Sequence, residues 1–363
     1  MYFDAEENKD HIVVGLQSYL LQSYRTTELH NDRYGTAELS MPSFMKSHRL
    51  QLFAFITLVV EVLIGMCPAW VDVRAQDIPR TEHGRIVRYS QFPSAFVRAR
   101  NIDIWLPEQY DSTQRYDVLY MHDGQMLYDA STTWNKQAWD IDDTASALIG
   151  RGECRPFIVV GIWNGGDTRH PEYFPQKPYA MLSPAQRDTV SAQLREAGRT
   201  MSSFTPVSDN YLRFLVEELK PFIDSTYAVQ RGHDHTFIAG SSMGGLISLY
   251  ALCEYPEVFG GAACISTHWI GSFAPQNNPI PEVFFTYMKR HLPDPATHKL
   301  YFDCGDKTLD AFYPLLQRRA DSIMRNNYYT SSSWKTEYIK GADHSETSWS
   351  KRLALPLRFL LGR

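Results

Sequence analysis

The sequence predicts an α/β fold: one mostly parallel central sheet with helices on both faces. Three observations lead there. Short apolar runs alternate with longer segments of helical spacing, the signature of strands joined through helices. The run in "PFIVVGIWNGG", from Pro156, is apolar without alternation, as a strand buried on both faces must be. The stretch from Gln76 to Arg363 has the size of a single domain, and no repeat, Ser/Gly linker or low-complexity tract divides it.

Taken in order, "NIDIWLP" (from Asn101) alternates like a half-buried strand, and "YDVLYMHDGQ" (from Tyr116) is a strand running into a Gly-containing loop. "PFIVVGIWNGG" is the next strand. "DNYLRFLVEELKPFIDSTY" (from Asp209) has helical spacing, with Leu212, Leu215, Val216 and Leu219 on one face and Asp209 placed to cap its start. "HTFIAG" is a strand and "GGLISLYALCEY" a helix that ends before Pro256. "GAACIS" and "KLYFDCG" are strands, and "LDAFYPLLQRRADSIMRNN" a helix with Pro314 near its start. "WKTEYIKGADH" is a last strand leading to a histidine loop, and "KRLALPLRFLL" closes the chain as a helix. In such a sheet, sites form at the carboxyl ends of the strands.

The first seventy-five residues stand apart. Residues 45–75 contain a basic start (Lys46, His48, Arg49), an apolar run over 50–66 interrupted by Glu61, and small residues Val73 and Ala75 at the spacing of a cleavage site. This is a secretory signal layout, which predicts a secreted or periplasmic protein. The alternative is retention as a membrane anchor by residues 50–66, against which Glu61 counts. Residues 1–44 are polar and aperiodic. They read as a mis-assigned or disordered extension, with Met41 or Met45 as the true start.

Thirty-six Lys+Arg against forty-one Asp+Glu give a formal charge of −5 with no block of like charge, which argues against a nucleic-acid partner. The five cysteines form no CxxC or Cys/His ligand pattern, so no metal is expected. Cys253 and Cys264 sit in apolar runs and read as small buried hydrophobes. The "HDH" at 233–235 has ligand-like spacing. It precedes the strand "HTFIAG", away from the carboxyl ends, and reads as a solvated loop.

The chemistry concentrates at "HTFIAGSSMGGLISLYA". A nucleophile elbow is a strand, a sharp strained turn and a helix, with small residues two positions either side of the nucleophile. Ser242 is flanked by Gly240 and Gly244; Ser241 is flanked by Ala239 and Met243. Only Ser242 fits. It also opens a helix, where free N–H groups favour developing negative charge, and Met243 N–H is one natural oxyanion donor. The base is His344, in "KGADHSETSW" after the last strand, and the expected chain order is serine, acid, histidine. The acid comes from the loop after "LYFDCG": Asp310 first, Asp306 second, with Asp303 still inside the strand. The second oxyanion donor is expected from "MHDGQ", where Gly124 lets the backbone turn and Gln125 N–H faces inward. His122 and Asp123 shape the pocket beside it. Trp269, with His268, follows the strand after the nucleophile helix at the carboxyl-end rim, where it either stacks on a sugar or phenolic ring or caps the core. Arg169 and Tyr173 follow another strand end, where they either line the pocket or serve to pack the loop.

With these motifs in hand, the chain resembles the Putative esterase family of α/β-hydrolases, which includes esterase D-like, feruloyl, acetylxylan and enterochelin esterase-like enzymes. The resemblance covers Arg98 to Leu361 and rests on "VLYMHDGQ", "GSSMGGLISLYA", "YPEVFGGAACIS" and "GADHSETSW". It implies an α/β-hydrolase fold and a serine hydrolase without a cofactor. It implies Ser242 as nucleophile, His344 as base, and backbone oxyanion donors at Met243 and Gln125. One position departs: where that family commonly carries its acid, this chain has Thr308. With an export signal, carbohydrate-linked acyl esters, acetyl or feruloyl, are the expected substrates. A siderophore ester, acyl transfer to a sugar and a non-catalytic glycan-binding relative are the alternatives. An intact Ser242/His344 pair argues against the last.

Overall fold

The computed structural model describes residues 78–201 and 203–363; the expected extension 1–44 and export segment 45–75 lie outside the described residues. Eight strands form one sheet: β1 (Arg85–Phe92), β2 (Arg100–Leu106), β3 (Asp117–His122), β4 (Phe157–Ile162), β5 (Thr236–Ser241), β6 (Gly261–Ile265), β7 (Lys299–Cys304) and β8 (Trp334–Tyr338). Their spatial order is β1-β2-β4-β3-β5-β6-β7-β8. From β4 through β8 all neighbours are parallel, and β2 is antiparallel to both β1 and β4. The mostly parallel α/β sheet expected from the sequence is present. Every residue of β3, β4, β5 and β6 is buried.

Three local differences from the sequence reading have clear causes. β2 is buried along its whole length rather than on alternate faces. Its inward acid, Asp103, is tolerated because the Arg88 guanidinium grips both carboxylate oxygens at 2.7 Å and Trp163 Nε1 donates at 2.8 Å. The helical segment at 208–226 starts at Ser208, so Asp209 lies inside the first turn and accepts from the Tyr250 hydroxyl at 2.6 Å instead of capping. That segment passes through a π turn, Phe214–Leu219, just before Pro221, a residue with no N–H for the preceding carbonyls. The helix expected from Leu309 opens instead as a 3₁₀ turn, Thr308–Phe312, and becomes α-helical only at Tyr313.

The chain order places the site. From β3 the chain moves to β4 on one side, and later to β5 on the other, so β3 and β5 are adjacent with diverging connections. Such a switch point opens a crevice at the carboxyl ends of the strands. Here those ends carry Asp123–Gly124 and Ser241–Ser242.

Candidate active site

β5 delivers the chain to Ser242, which stands between the strand and the helix Met243–Glu254 with φ 57° and ψ −120°. A non-glycine residue in that region is strained and persists only where its surroundings fix it. Here they do. Ser242 N donates to Ile265 O at 2.9 Å, and Ser242 O accepts from Leu246 N at 3.1 Å and His268 N at 3.2 Å. Of the flanking glycines, Gly240 is sterically required and Gly244 is tightly fitted. A Cβ on Gly240 would lie 2.7 Å from the Gly244 carbonyl carbon, and one on Gly244 would lie 3.3 Å from His122 Cβ. A Cβ on Gly245 would meet Cys264 C and Gly240 O at 3.2 Å, so that glycine lets the helix lie against β6. Ser242, not Ser241, occupies the apex.

His344 is carried by the loop after β8, and both it and Ser242 line the same cleft. Its Nδ1 lies 2.5 Å from Asp310 Oδ1. Asp310 is completely buried, and its other oxygen accepts from Ser266 Oγ and Gly305 N, each at 2.6 Å. Asp306 lies elsewhere: its carboxylate accepts from Gly341 N at 2.9 Å and ties the two loops together. Thr308, the residue at the divergent position, accepts from His344 N through Oγ1 at 2.9 Å. It therefore holds the histidine's backbone while Asp310 holds its ring. The ring is wedged edge-on against Trp349, with centroids 5.0 Å apart, and Tyr313, 5.8 Å apart.

Beneath Asp310 lies a polar layer that the sequence reading did not identify. Ser266 donates to Asp310 and accepts from Trp349 Nε1 at 3.1 Å and Arg352 Nη2 at 2.8 Å, which uses its one proton and both lone pairs. Arg352 also grips Asp303 with contacts of 3.0 and 3.1 Å. Both members of that pair are buried.

The loop after β3 faces the elbow. Gly124 is pressed onto β4: a Cβ there would lie 2.6 Å from Gly161 C. The first 3₁₀ bond of this turn is Met126 N to Asp123 O at 2.9 Å, so the Gln125 N–H precedes the bonded part of the turn. The Met243 N–H, at the first position of its helix, has no intrahelical acceptor by geometry. Gln125 and Met243 both line the cleft. Asp123 sits in the left-handed region, and its carboxylate is clamped by Arg169 Nε at 2.6 Å, Arg169 Nη2 at 2.7 Å and Asn164 Nδ2 at 2.7 Å. Burial opposes its charge, but the Arg169 guanidinium prevails and holds its pKa below the usual carboxylate range.

A model of the Putative esterase family matches residues 94–360. The chain belongs to this family. It is a carboxylic ester hydrolase. Among curated relatives, an endo-1,4-beta-xylanase/feruloyl esterase of Xylanibacter ruminicola is 23% identical over 237 residues, covering 62% of this chain and only 25% of that protein. The uncharacterized protein YbbA of Bacillus subtilis is 21% identical over 272 residues, covering 73% of this chain and 93% of the relative. Among solved structures, a ferulic acid esterase superposes with TM-score 0.53 at 19% identity over 77% of this chain and 98% of its own. The enterobactin esterase of Shigella flexneri does so with TM-score 0.51 at 18% identity, over 81% and 62%. These superpositions show a common α/β fold.

The esterase's cleft encloses about 990 Å³. Asp123 and Arg169 line it; His122 and Trp269 do not. His122 is buried under the elbow, with Nδ1 2.8 Å from the Tyr211 hydroxyl, and burial drops its pKa to about 3. Trp269 is 0% exposed. Its indole packs on Phe285 and Phe302 and donates to Gln317 Oε1 at 2.9 Å, because the turn after β6 folds it inward into the core. Tyr173 is likewise buried, its ring packed at a tilt against those of His122 and Tyr211. The most exposed aromatic of the cleft among the described residues is Trp134, 83% accessible against 38% for Phe273, on the loop between β3 and the helix Ile141–Gly150. Its neighbours anchor that loop: Asn135 Nδ2 donates to Glu346 at 2.8 Å, and Gln137 Oε1 accepts from Thr347 Oγ1 at 2.9 Å. "TTWNKQ" carried no signal beyond a polar loop, so the sequence offered nothing to mark this tryptophan. At the opposite end of the sheet, His235 Nδ1 pairs with Asp117 Oδ1 at 2.6 Å.

Proposed function

We propose that this esterase works through a serine nucleophile, Ser242, with His344 as general base and Asp310 as the acid that orients it. One observation carries the reading: a serine on a strained apex shares a cleft with a histidine whose Nδ1 is held 2.5 Å from a buried carboxylate. With Nδ1–H donated to Asp310, Nε2 is free to take the Ser242 proton as Oγ attacks the ester carbonyl. The tetrahedral oxyanion is received by the N–H groups of Met243 and Gln125, each contributing about 3–4 kcal/mol to the transition state. His344 then returns the proton to the leaving alcohol, and water resolves the acyl-enzyme by the reverse path. Asp123 takes no proton in this scheme; with Arg169 it fixes the loop that presents Gln125.

For the substrate we propose a carbohydrate-linked acyl ester, acetyl or feruloyl. Support comes from the names of the similar proteins, from the size of the cleft, and from exposed Trp134 at its edge, a residue suited to stacking on a sugar or phenolic ring. The export layout of residues 45–75 fits an enzyme that meets polysaccharide outside the cell, with residues 76–363 as its catalytic domain. The test is hydrolysis by the full chain of p-nitrophenyl acetate, methyl ferulate, acetylated xylan and a cyclic catecholate triester of the enterobactin type. Ser242→Ala is run in parallel. Release of ferulate or acetate that vanishes in the variant supports the reading. Turnover of the catecholate ester alone moves the assignment to a siderophore esterase.

A further inference from the structure

The Ser242–His344–Asp310 reading leaves one cleft-lining imidazole without a task. His268 is 1% exposed, lines the cleft, and its Nε2 has no hydrogen-bond partner among the described residues. Its other nitrogen, Nδ1, lies 2.7 Å from the Tyr313 hydroxyl. Tyr313 is fully buried, its ring meets His344 at 5.8 Å, and its hydroxyl interacts with that of Ser242. The backbone N–H of His268 holds the Ser242 carbonyl at 3.2 Å. The Tyr–His pair is thus fixed directly against the reacting serine.

The position of the proton follows from acidity. Burial, aided by His344, His170 and Arg169, outweighs the opposing pull of the Ser272 backbone, which makes no hydrogen bond of normal geometry to Nε2, and keeps His268 neutral, so it has one donor and one acceptor nitrogen. A phenol is the better donor and an imidazole nitrogen the better acceptor. Tyr313 O–H therefore donates to Nδ1, and Nε2 carries the hydrogen. A buried N–H without an acceptor is costly, and a site built this way discriminates strongly against ligands that leave it unpaired.

We propose that Tyr313 and His268 form a donor of fixed tautomer in the cleft wall, which selects esters carrying an acceptor oxygen close to the scissile bond. A sugar hydroxyl or ring oxygen beside an acylated position meets this requirement; a plain alkyl ester does not. The inference rests on the serine-hydrolase reading and adds a demand on the substrate. His268 is here a specificity-determining residue, and Tyr313 a positioning residue acting through it.

Two measurements on the full chain test this. The first is ¹⁵N NMR of histidine-labelled protein. His268 is expected as the Nε2–H tautomer, with Tyr313→Phe shifting it toward a mixture; an Nδ1–H tautomer in the wild type overturns the proposal. The second is kcat/KM on matched pairs: glyceryl monoacetate against propyl acetate, and methyl methoxyacetate against methyl butyrate. In His268→Phe the oxygen-bearing member of at least one pair is expected to fall about tenfold to a hundredfold further than its partner. The pair affected reports whether the oxygen belongs to the alcohol or the acyl side. If His268→Phe does not fold, Tyr313→Phe must narrow the same ratio severalfold. Equal falls on both members of both pairs overturn this inference alone. Absence of both hydrolysis and a fluorophosphonate adduct in the wild type overturns the serine-hydrolase reading and this inference with it.

Discussion

Asp310 and His344 are joined by a contact of 2.5 Å between Oδ1 and Nδ1, and the opposite oxygen of Asp310 is held by Ser266 Oγ and Gly305 N at 2.6 Å each. With both oxygens engaged, the carboxylate cannot rotate away from the imidazole. The pair is a rigid unit that sets the tautomer and the direction of the ring.

Asp310→Asn keeps the shape but places an amide where the imidazole needs an acceptor. The expected loss in kcat is about 10⁴-fold, from the wrong tautomer of His344. Asp306→Asn, by contrast, touches the Gly341 contact and an exposed pairing with Lys307, and is expected to stay within about threefold of wild type. Steady-state kinetics on p-nitrophenyl acetate distinguishes the two, and a reversed order would move the acid to Asp306.

Arg352 supports the same unit from below. Its guanidinium is buried and serves Asp303 and Ser266 together. Arg352→Met leaves Asp303 buried without its cation, and the expected cost in unfolding free energy is about 3–5 kcal/mol. Urea denaturation measures it. A change within about 0.5 kcal/mol would show that the pair contributes little to stability.

Gly240 tests the elbow. A methyl group there enters within 2.7 Å of the Gly244 backbone, an atom held by the nucleophile helix and unable to yield cheaply. Gly240→Ala is expected to lower stability by about 1–3 kcal/mol and to displace Ser242 enough to cost about 10²-fold in kcat. Thermal unfolding and kinetics on the same preparation check both.

Stability should also carry a pH signature from Asp142, in the first turn of the helix Ile141–Gly150. Burial, reinforced by Asp143, raises its pKa to about 6. The folded state therefore binds this proton more tightly than the unfolded chain does. The stability it contributes is complete below the unfolded carboxyl range and is lost as pH rises through about 6. Asp142→Asn retains an oxygen for Glu82 N and mimics the protonated form. It is expected to match wild type near pH 3 and to gain about 1 kcal/mol at pH 8, after allowance for solvent screening. Urea midpoints at the two pH values give the answer; a loss at pH 8 contradicts it.

What the sequence made legible was governed by local geometry. The elbow could be read because its glycines are required by contacts within a few residues of Ser242, and the strands because burial on both faces removes polar residues from them. The acid loop was readable as a loop. The choice between Asp306 and Asp310 depended on a 3₁₀ turn that a helical pattern does not distinguish from an α-helix. The choice for Trp269 between rim and core was not legible, because position after a strand end says nothing about whether a turn points outward or back into the core. His122 ends β3, and the strand pattern does not say that its ring turns under the elbow to Tyr211 rather than into the cleft. Ser266, Tyr313 and Arg352 come from three separate segments that meet only in the fold, and none carries a motif of its own. Asp103 hid in an apparently alternating strand because its partner Arg88 lies on a neighbouring strand with no pattern to mark it.

The central claim is that Ser242 is the nucleophile. The most direct measurement is intact-protein and peptide mass spectrometry of the full chain after reaction with a fluorophosphonate, beside Ser241→Ala and Ser242→Ala. One adduct per chain is expected, located on Ser242, retained in Ser241→Ala and absent from Ser242→Ala. An adduct on Ser241, or labelling that survives in Ser242→Ala, would contradict it.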